Sequence, residues 1–342
     1  MKKILCLLLA LLTTLSCVSC VAKEEVPAPE PEPEVVEKPA VLNPLTGEEL
    51  KHPDAVNNRP VAVMINNIEQ AMPTHGLSDA DILYEYNVEG GITRIMAVFQ
   101  DVSEVGTIGS VRSARRCFVE TALGLDAIYA HAGGSKEALG MIRDLGMDDI
   151  SENNTSYWRD SERAKTMSYE HTLMTNGEKI TAFINDHDFR TQHNSDYSYP
   201  ITYVEDATPT NGTDAQNVSV RFSGYKTGTF TYDADSHKYL VGQYGTSFVD
   251  GNSGNQLGVT NVLVLRTSVS CSGDYKGHMN IDLQGSGTGT FICGGKAVDI
   301  QWTKSQMSDP FSYTLTDGTP LELNVGNSYV CIIANDAALT IE

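Results

Sequence analysis

Residues Glu89–Ser135 read EGGITRIMAVFQDVSEVGTIGSVRSARRCFVETALGLDAIYAHAGGS, and the rest of the chain can be parsed outward from them. Arg94–Gln100 is a short apolar run between polar turns, the pattern of a buried strand. Asp81–Val88 precedes it with a similar texture. Glu89-Gly90-Gly91 between them suits a tight turn, so the two runs are expected to form a hairpin. Beyond a loop rich in Ser and Gly, Ala114, Cys117, Phe118, Thr121, Ala122 and Leu125 recur at helical spacing. Ser113 is placed to cap that helix and Gly124 to end it. Asp126–His131 reads as another strand. Ala132-Gly133-Gly134-Ser135 then turns into a second helix, Lys136–Leu145, closed by Gly146.

Strand, helix, strand, glycine turn and helix in succession bring unpaired backbone N–H groups and glycine-lined backbone together, which favours anions. Arg112, Arg115 and Arg116 add fixed cations, and seven of the eleven arginines fall between Arg94 and Arg163. In an otherwise acidic chain this clustering points to a carboxylate or phosphate ligand. The residues expected to line such a site are Arg94, Arg112, Arg115, His131, Gly133, Gly134, Ser135 and Arg159. The alternative is structural: the same arginines would pair with Glu89, Glu104 or Glu120 in surface ion pairs worth roughly 0–1 kcal/mol each. The glycine turn is neither a P-loop, lacking Gly-Lys-Ser/Thr, nor a dinucleotide fingerprint.

An acid–base constellation is the competing reading of the same region. His131 would act as general base with Asp126 or Glu89 in support, and His171 lies further along the chain beside Glu170. Neither a G-x-S-x-G elbow nor an H-E-x-x-H pair accompanies these histidines. The weight therefore falls on a binding or scaffold protein, with an envelope hydrolase or transferase as the alternative. No cofactor is implied. Paired Asn66-Asn67 at the end of the strand Val61–Ile65 is expected to satisfy loop backbone.

The formal charge of −20 argues against nucleic acid or an anionic membrane surface as an electrostatic partner. The N-terminus is more explicit. Met1-Lys2-Lys3 followed by the apolar Ile4–Leu15 has the length of a secretion signal and is too short to span a bilayer stably. Small residues precede Cys17 and Cys20, as in the lipobox of bacterial lipoproteins. Cys17 is the better lipidation site, with Cys20 as the alternative. Residues 1–20 are thus expected to be a lipoprotein signal peptide and 21–41 a Pro/Glu-rich tether, extended by its prolines. The expected location is the extracytoplasmic face of a cell membrane in a Gram-positive envelope, with the lipid as the membrane contact and an anionic envelope ligand or envelope protein as partner.

Cys117, Cys271, Cys293 and Cys331 remain once the leader is set aside. They can stay free and buried or pair, Cys271 with Cys293 being nearest in sequence, and no CxxC or CxxH spacing indicates zinc. From Tyr199 short segments alternate with Gly, Asp and Asn turns: Ser219–Phe222, Gly228–Tyr232, Lys238–Val241, Asn261–Leu265, Gly277–Leu283, Gly289–Ile292, Lys296–Trp302 and Tyr329–Ile333. The expected fold is α+β, with a mixed α/β part over 42–200 and a β-rich part over 201–342. Phe222, Tyr225, Phe230 and Trp302 are read as core.

Several of these stretches carry a resemblance. Asn43-Pro-Leu-Thr-Gly47, Asn58–Asn67, Val88–Arg94, Met96–Phe99, Gly109–Arg115 and Asp126–Ser135 are similar to the YerB-like lipoproteins. So are Gly285-Ser-Gly287, Gly295-Lys296, Trp302-Thr-Lys304 and Asn324–Asn327 in the second half. The resemblance implies a two-part α+β protein with a membrane anchor and supplies no reaction. Where the family tends to carry Pro-His-Asn, this chain has Tyr169-Glu170-His171-Thr172, retaining only the histidine.

Overall fold

In β1 (Val61–Asn67) every residue is buried, which a strand achieves only when both faces of its sheet are covered. Side chains alternate between two cores. Val61, Val63 and Ile65 enter one and Ala62 and Met64 the other. The structure is a computed structural model that describes residues 39–342; the expected signal peptide, with Cys17 and Cys20, and the tether as far as residue 38 lie outside the described residues. Residues Ala40–Glu342 pack as one unit.

β2 (Ile82–Glu89) and β3 (Ile92–Phe99) form the expected hairpin, paired antiparallel from Ile82↔Val98 to Glu89↔Ile92 around a turn at Gly90 and Gly91. Both turn glycines have positive φ, +58° and +82°, a conformation that a Cβ disfavours. β3 pairs on its other edge with β1, and β1 pairs in parallel with Ile128–His131, which pairs in parallel with Asp149–Ser151. Strand Ser328–Ala334, near the C-terminus, lies between β2 and Asn261–Thr267, parallel to both. Beyond Asn261–Thr267 the sheet continues through Gly285–Cys293, Lys296–Lys304 and Thr213–Asp214, with Ser312–Leu315 also on Lys296–Lys304, giving eleven strands. Strands from both sides of residue 200 therefore share one sheet.

Each face of that sheet is covered by different elements. Val218, Val220, Phe230, Tyr239 and Val241, from a second sheet of six strands, pack with Ile180 and Ile184 against one face. Cys117, Phe118, Val119 and Ala122 of α1 (Arg116–Gly124) and Ala138 and Ile142 of α2 (Lys136–Leu145) cover the other. The third helix, α3 (Gly177–Asp186), is capped by Asn176, whose side chain accepts from Lys179 N–H. These three α-helices are the only ones among the described residues, so the fold is β-rich rather than an even α+β mixture.

Four local expectations need correction. α1 begins at Arg116 after an Arg115 N-cap whose side chain makes no capping bond, and Ser113 does not cap it. Instead residues 112–114 run extended beside the glycine turn, with Ala114 N–H donating to Gly133 O and Ala132 N–H to Arg112 O. Pairing with that turn holds the chain out of the helix for two more residues than a Ser113 cap would. Asp126 is not in a strand: its φ is +49°, and the strand starts at Ile128. Tyr225, read as core, is 45% exposed. Cys117, Cys271, Cys293 and Cys331 are all free, with only Cys271 exposed, so the pairing of Cys271 with Cys293 does not occur.

Candidate functional site

β2 ends at Glu89, β3 carries Arg94 five residues on, and Arg115 closes the loop ahead of α1. Their side chains converge. Arg94 donates to Glu89 Oε1 at 2.5 Å, and Arg115 donates to both carboxylate oxygens, at 2.6 and 2.7 Å. Arg94 also donates to Ser113 O at 2.7 Å and is only 2% exposed. Burial and the neighbouring Arg115 lower the Arg94 pKa. Burial alone would raise the Glu89 carboxyl, but hydrogen bonding from Arg115 and the two guanidinium charges hold it below the usual carboxylate range. Part of the expected cation cluster is thus neutralised from within by Glu89, a partner the structural alternative named, but in buried rather than surface ion pairs, and Glu104 pairs with Lys51 instead.

Arg112 is less fully engaged. It donates to Glu170 O at 3.3 Å, and its buried Nε has no partner among the described residues. Burial lowers its pKa, opposed by the charges of Glu170 and Glu89. Arg159 donates to Tyr169 O at 3.0 Å and to Glu152 at 2.5 Å, and its guanidinium lies 4.0 Å from the Tyr169 ring centroid.

The histidines are held in place. His131 is fully buried, with Nδ1 2.8 Å from Gly133 O and Nε2 3.1 Å from Asp149 Oδ2. Both ring nitrogens face oxygen acceptors, so neither is free to take a proton from a nucleophile. Asp126 does not meet it. Its carboxylate receives hydrogen bonds from Arg190 and sits 3.0 Å from His193 Nδ1. His171 is buried, with Nδ1 2.9 Å from the Asn66 amide nitrogen and Nε2 3.6 Å from Glu170, and burial lowers its pKa.

Arg115, Gly134 and Ser135 do share a cleft. It has a volume of about 820 Å³ and runs between α2 and a loop of the second half, Ser272–Asn280. Ser135 caps α2, its hydroxyl accepting from Ala138 N–H at 3.2 Å, and Gly146 ends the helix at φ +62° as expected. Arg115, Arg116, Lys136, Arg143 and Lys276 line the cleft against Glu137, Asp144 and Asp274, five cations to three carboxylates. Arg116 pairs with Glu120 and Glu137, and Arg143 with Asp144. Lys136 and Lys276 have no ion-pair partner among the described residues. Beside Lys276, Tyr275 is 94% exposed. Lys276 and Tyr275 were missed in the sequence, where Ser272–Gly277 reads only as a turn; nothing local places it across from α2.

Among the described residues no group of His, Cys, Asp and Glu could hold a metal ion, and no helix is long and apolar enough to cross a membrane. Residues 45–190 match the family described as Protein of unknown function (DUF3048), N-terminal domain, and residues 218–330 match its C-terminal domain. A protein of Bacillus subtilis named "Putative lipoprotein YerB" is 29% identical over 292 residues, covering 83% of this chain and 82% of its own length. This chain belongs to the YerB-like lipoprotein family. The crystal structure of YerB from Bacillus subtilis superposes with a TM-score of 0.75 at 26% identity, covering 87% of this chain and 99% of that one. The YerB-like fold thus extends through both halves described above.

Proposed function

We propose that this chain is a lipid-anchored, extracytoplasmic binding protein of the cell envelope whose cleft between α2 and Ser272–Asn280 takes an anionic group. One observation carries the reading. In a chain of net charge −20, this cleft has an excess of cations, and two of them, Lys136 and Lys276, have no counter-ion among the described residues. A carboxylate or phosphate would supply it. The anchor rests on the lipobox around Cys17 and on the kinship with a protein named "Putative lipoprotein YerB".

The test is thermal melting of residues 40–342 with polyphosphates, peptidoglycan fragments and short carboxylates. A ligand at 100 times its Kd stabilises by roughly 2.7 kcal/mol. The shift is expected to fall with added salt and to vanish in the variant Lys136→Glu with Lys276→Glu, whose own melting temperature stays at the parent value. The same shift in the double variant would remove the cleft from the account.

A further inference from the structure

A second cleft, of about 490 Å³, lies on the outer face of the six-stranded sheet, and its lining differs from that of the first. None of its twelve lining residues carries a formal charge, although 20% of the chain is charged. Strand Thr227–Asp233 presents Thr227, Thr229 and Thr231 outward in alternation, while Gly228 and Phe230 face the core. The hydroxyls of Thr227 and Thr229 have no partner among the described residues. Gly242 lies opposite Thr229, and a Cβ there would stand 2.5 Å from the threonine hydroxyl, so glycine keeps the floor open.

One wall is aromatic. Tyr225 is 45% exposed and its ring centroid lies 5.7 Å from that of Tyr244. Tyr244 is fixed from two sides: its hydroxyl donates to Asn67 O at 2.7 Å, and the buried Lys226 Nζ lies 4.9 Å from its ring centroid. Gln256 donates its amide to Val241 O at 2.9 Å, leaving its carbonyl as an acceptor.

We infer that this cleft binds a neutral segment of a glycan. The apolar C–H face of a pyranose packs on tyrosine rings, and its hydroxyls exchange hydrogen bonds with threonine hydroxyls and an amide carbonyl. An ionic ligand would find no opposite charge here, and an apolar one would bury the threonine hydroxyls unpaired. Hydroxyls spaced along one extended strand match a linear oligosaccharide rather than a single small molecule.

The experiment is calorimetric titration of residues 40–342 with two neutral oligosaccharides, a tetramer of N-acetylglucosamine and a tetramer of glucose. They distinguish an amino-sugar chain from a plain hexose chain. Saturable binding of at least one is expected. It should weaken about tenfold in Thr229→Val, which deletes one hydroxyl at constant shape, and at least as much in Tyr225→Ala. The double variant Lys136→Glu with Lys276→Glu should bind the sugar as the parent does, which separates this cleft from the anionic one. Absence of binding to both sugars overturns the inference, as does undiminished affinity in both Thr229→Val and Tyr225→Ala. Binding of a neutral extended peptide in place of either sugar also overturns it, by making the face a strand-docking surface.

Discussion

Lys226 Nζ lies 3.4 Å from Glu85 Oε1, and each side chain is only 1% exposed. Glu85 comes from β2, and Lys226 precedes a strand of the second sheet, so this pair joins the halves across the core. The carboxylate also receives hydrogen bonds from Asn67 at 2.7 Å, Thr93 at 2.6 Å and the Tyr329 hydroxyl at 2.7 Å, and Lys226 donates to Gln243. Burying two charges is unfavourable unless they are paired and further hydrogen-bonded, and here both conditions hold. Lys226→Met leaves the carboxylate buried without a cation and is expected to cost about 3–5 kcal/mol in urea unfolding. Lys226→Met combined with Glu85→Gln should lose less than the sum of the singles. Simple additivity would show the two groups to be uncoupled.

A second buried acid gives a pH signature. Asp81 accepts from Asn43 Nδ2 at 2.8 Å and from Gln100 N–H at 2.5 Å. Burial pushes its carboxyl up to about 7, against those two hydrogen bonds. An unfolded aspartate titrates at roughly 3.9, so between that pH and about 7 the folded chain holds a proton the unfolded chain has lost. The contribution of this group is therefore full below pH ~4 and is lost as pH rises through the folded value. Asp81→Asn should flatten this part of the curve of urea midpoint against pH. An unchanged slope in the variant would assign the dependence elsewhere.

Two neighbouring arginines should behave differently. Arg115→Ala removes two hydrogen bonds from Glu89 and is expected to destabilise by about 1–3 kcal/mol. Arg112 donates only to a carbonyl, at 3.3 Å, so Arg112→Ala should cost less than about 1 kcal/mol. Comparable losses in chemical denaturation would make Arg112 a structural residue as well.

The hairpin of β2 and β3 was readable because its cues are local: two apolar runs around a glycine pair. The span of α2 and its end at Gly146 were readable for the same reason, and all eight segments read as β after Tyr199 contain strands. What escaped were relationships across the chain. Nothing near Ser328–Ala334 says that it lies between β2 and Asn261–Thr267. The N-cap of α1 moved from Ser113 to Arg115 because residues 112–114 pair with the Gly133 turn. Of the residues expected to line a site, only some share a cleft. Arg115, Gly134 and Ser135 line one cleft, whereas Arg94 and His131 are buried against Glu89 and Asp149. Charge type can be read from sequence, but the counter-ion that will neutralise it often cannot.

Cysteine accessibility gives a direct check on the packing. Burial pushes the thiols of Cys117 and Cys293 up to about 12, and Cys331 higher than an ordinary thiol. At pH 8 these three have little thiolate and no access to reagent, so they should be inert in the native state. Cys271 is free and exposed beside Met279 of the neighbouring strand. Iodoacetamide should therefore modify one cysteine of native residues 40–342, and none in Cys271→Ser, as read by intact mass. In denaturant four should react. Native labelling at Cys117, Cys293 or Cys331 would mean that the core around the central sheet opens more readily than this packing allows.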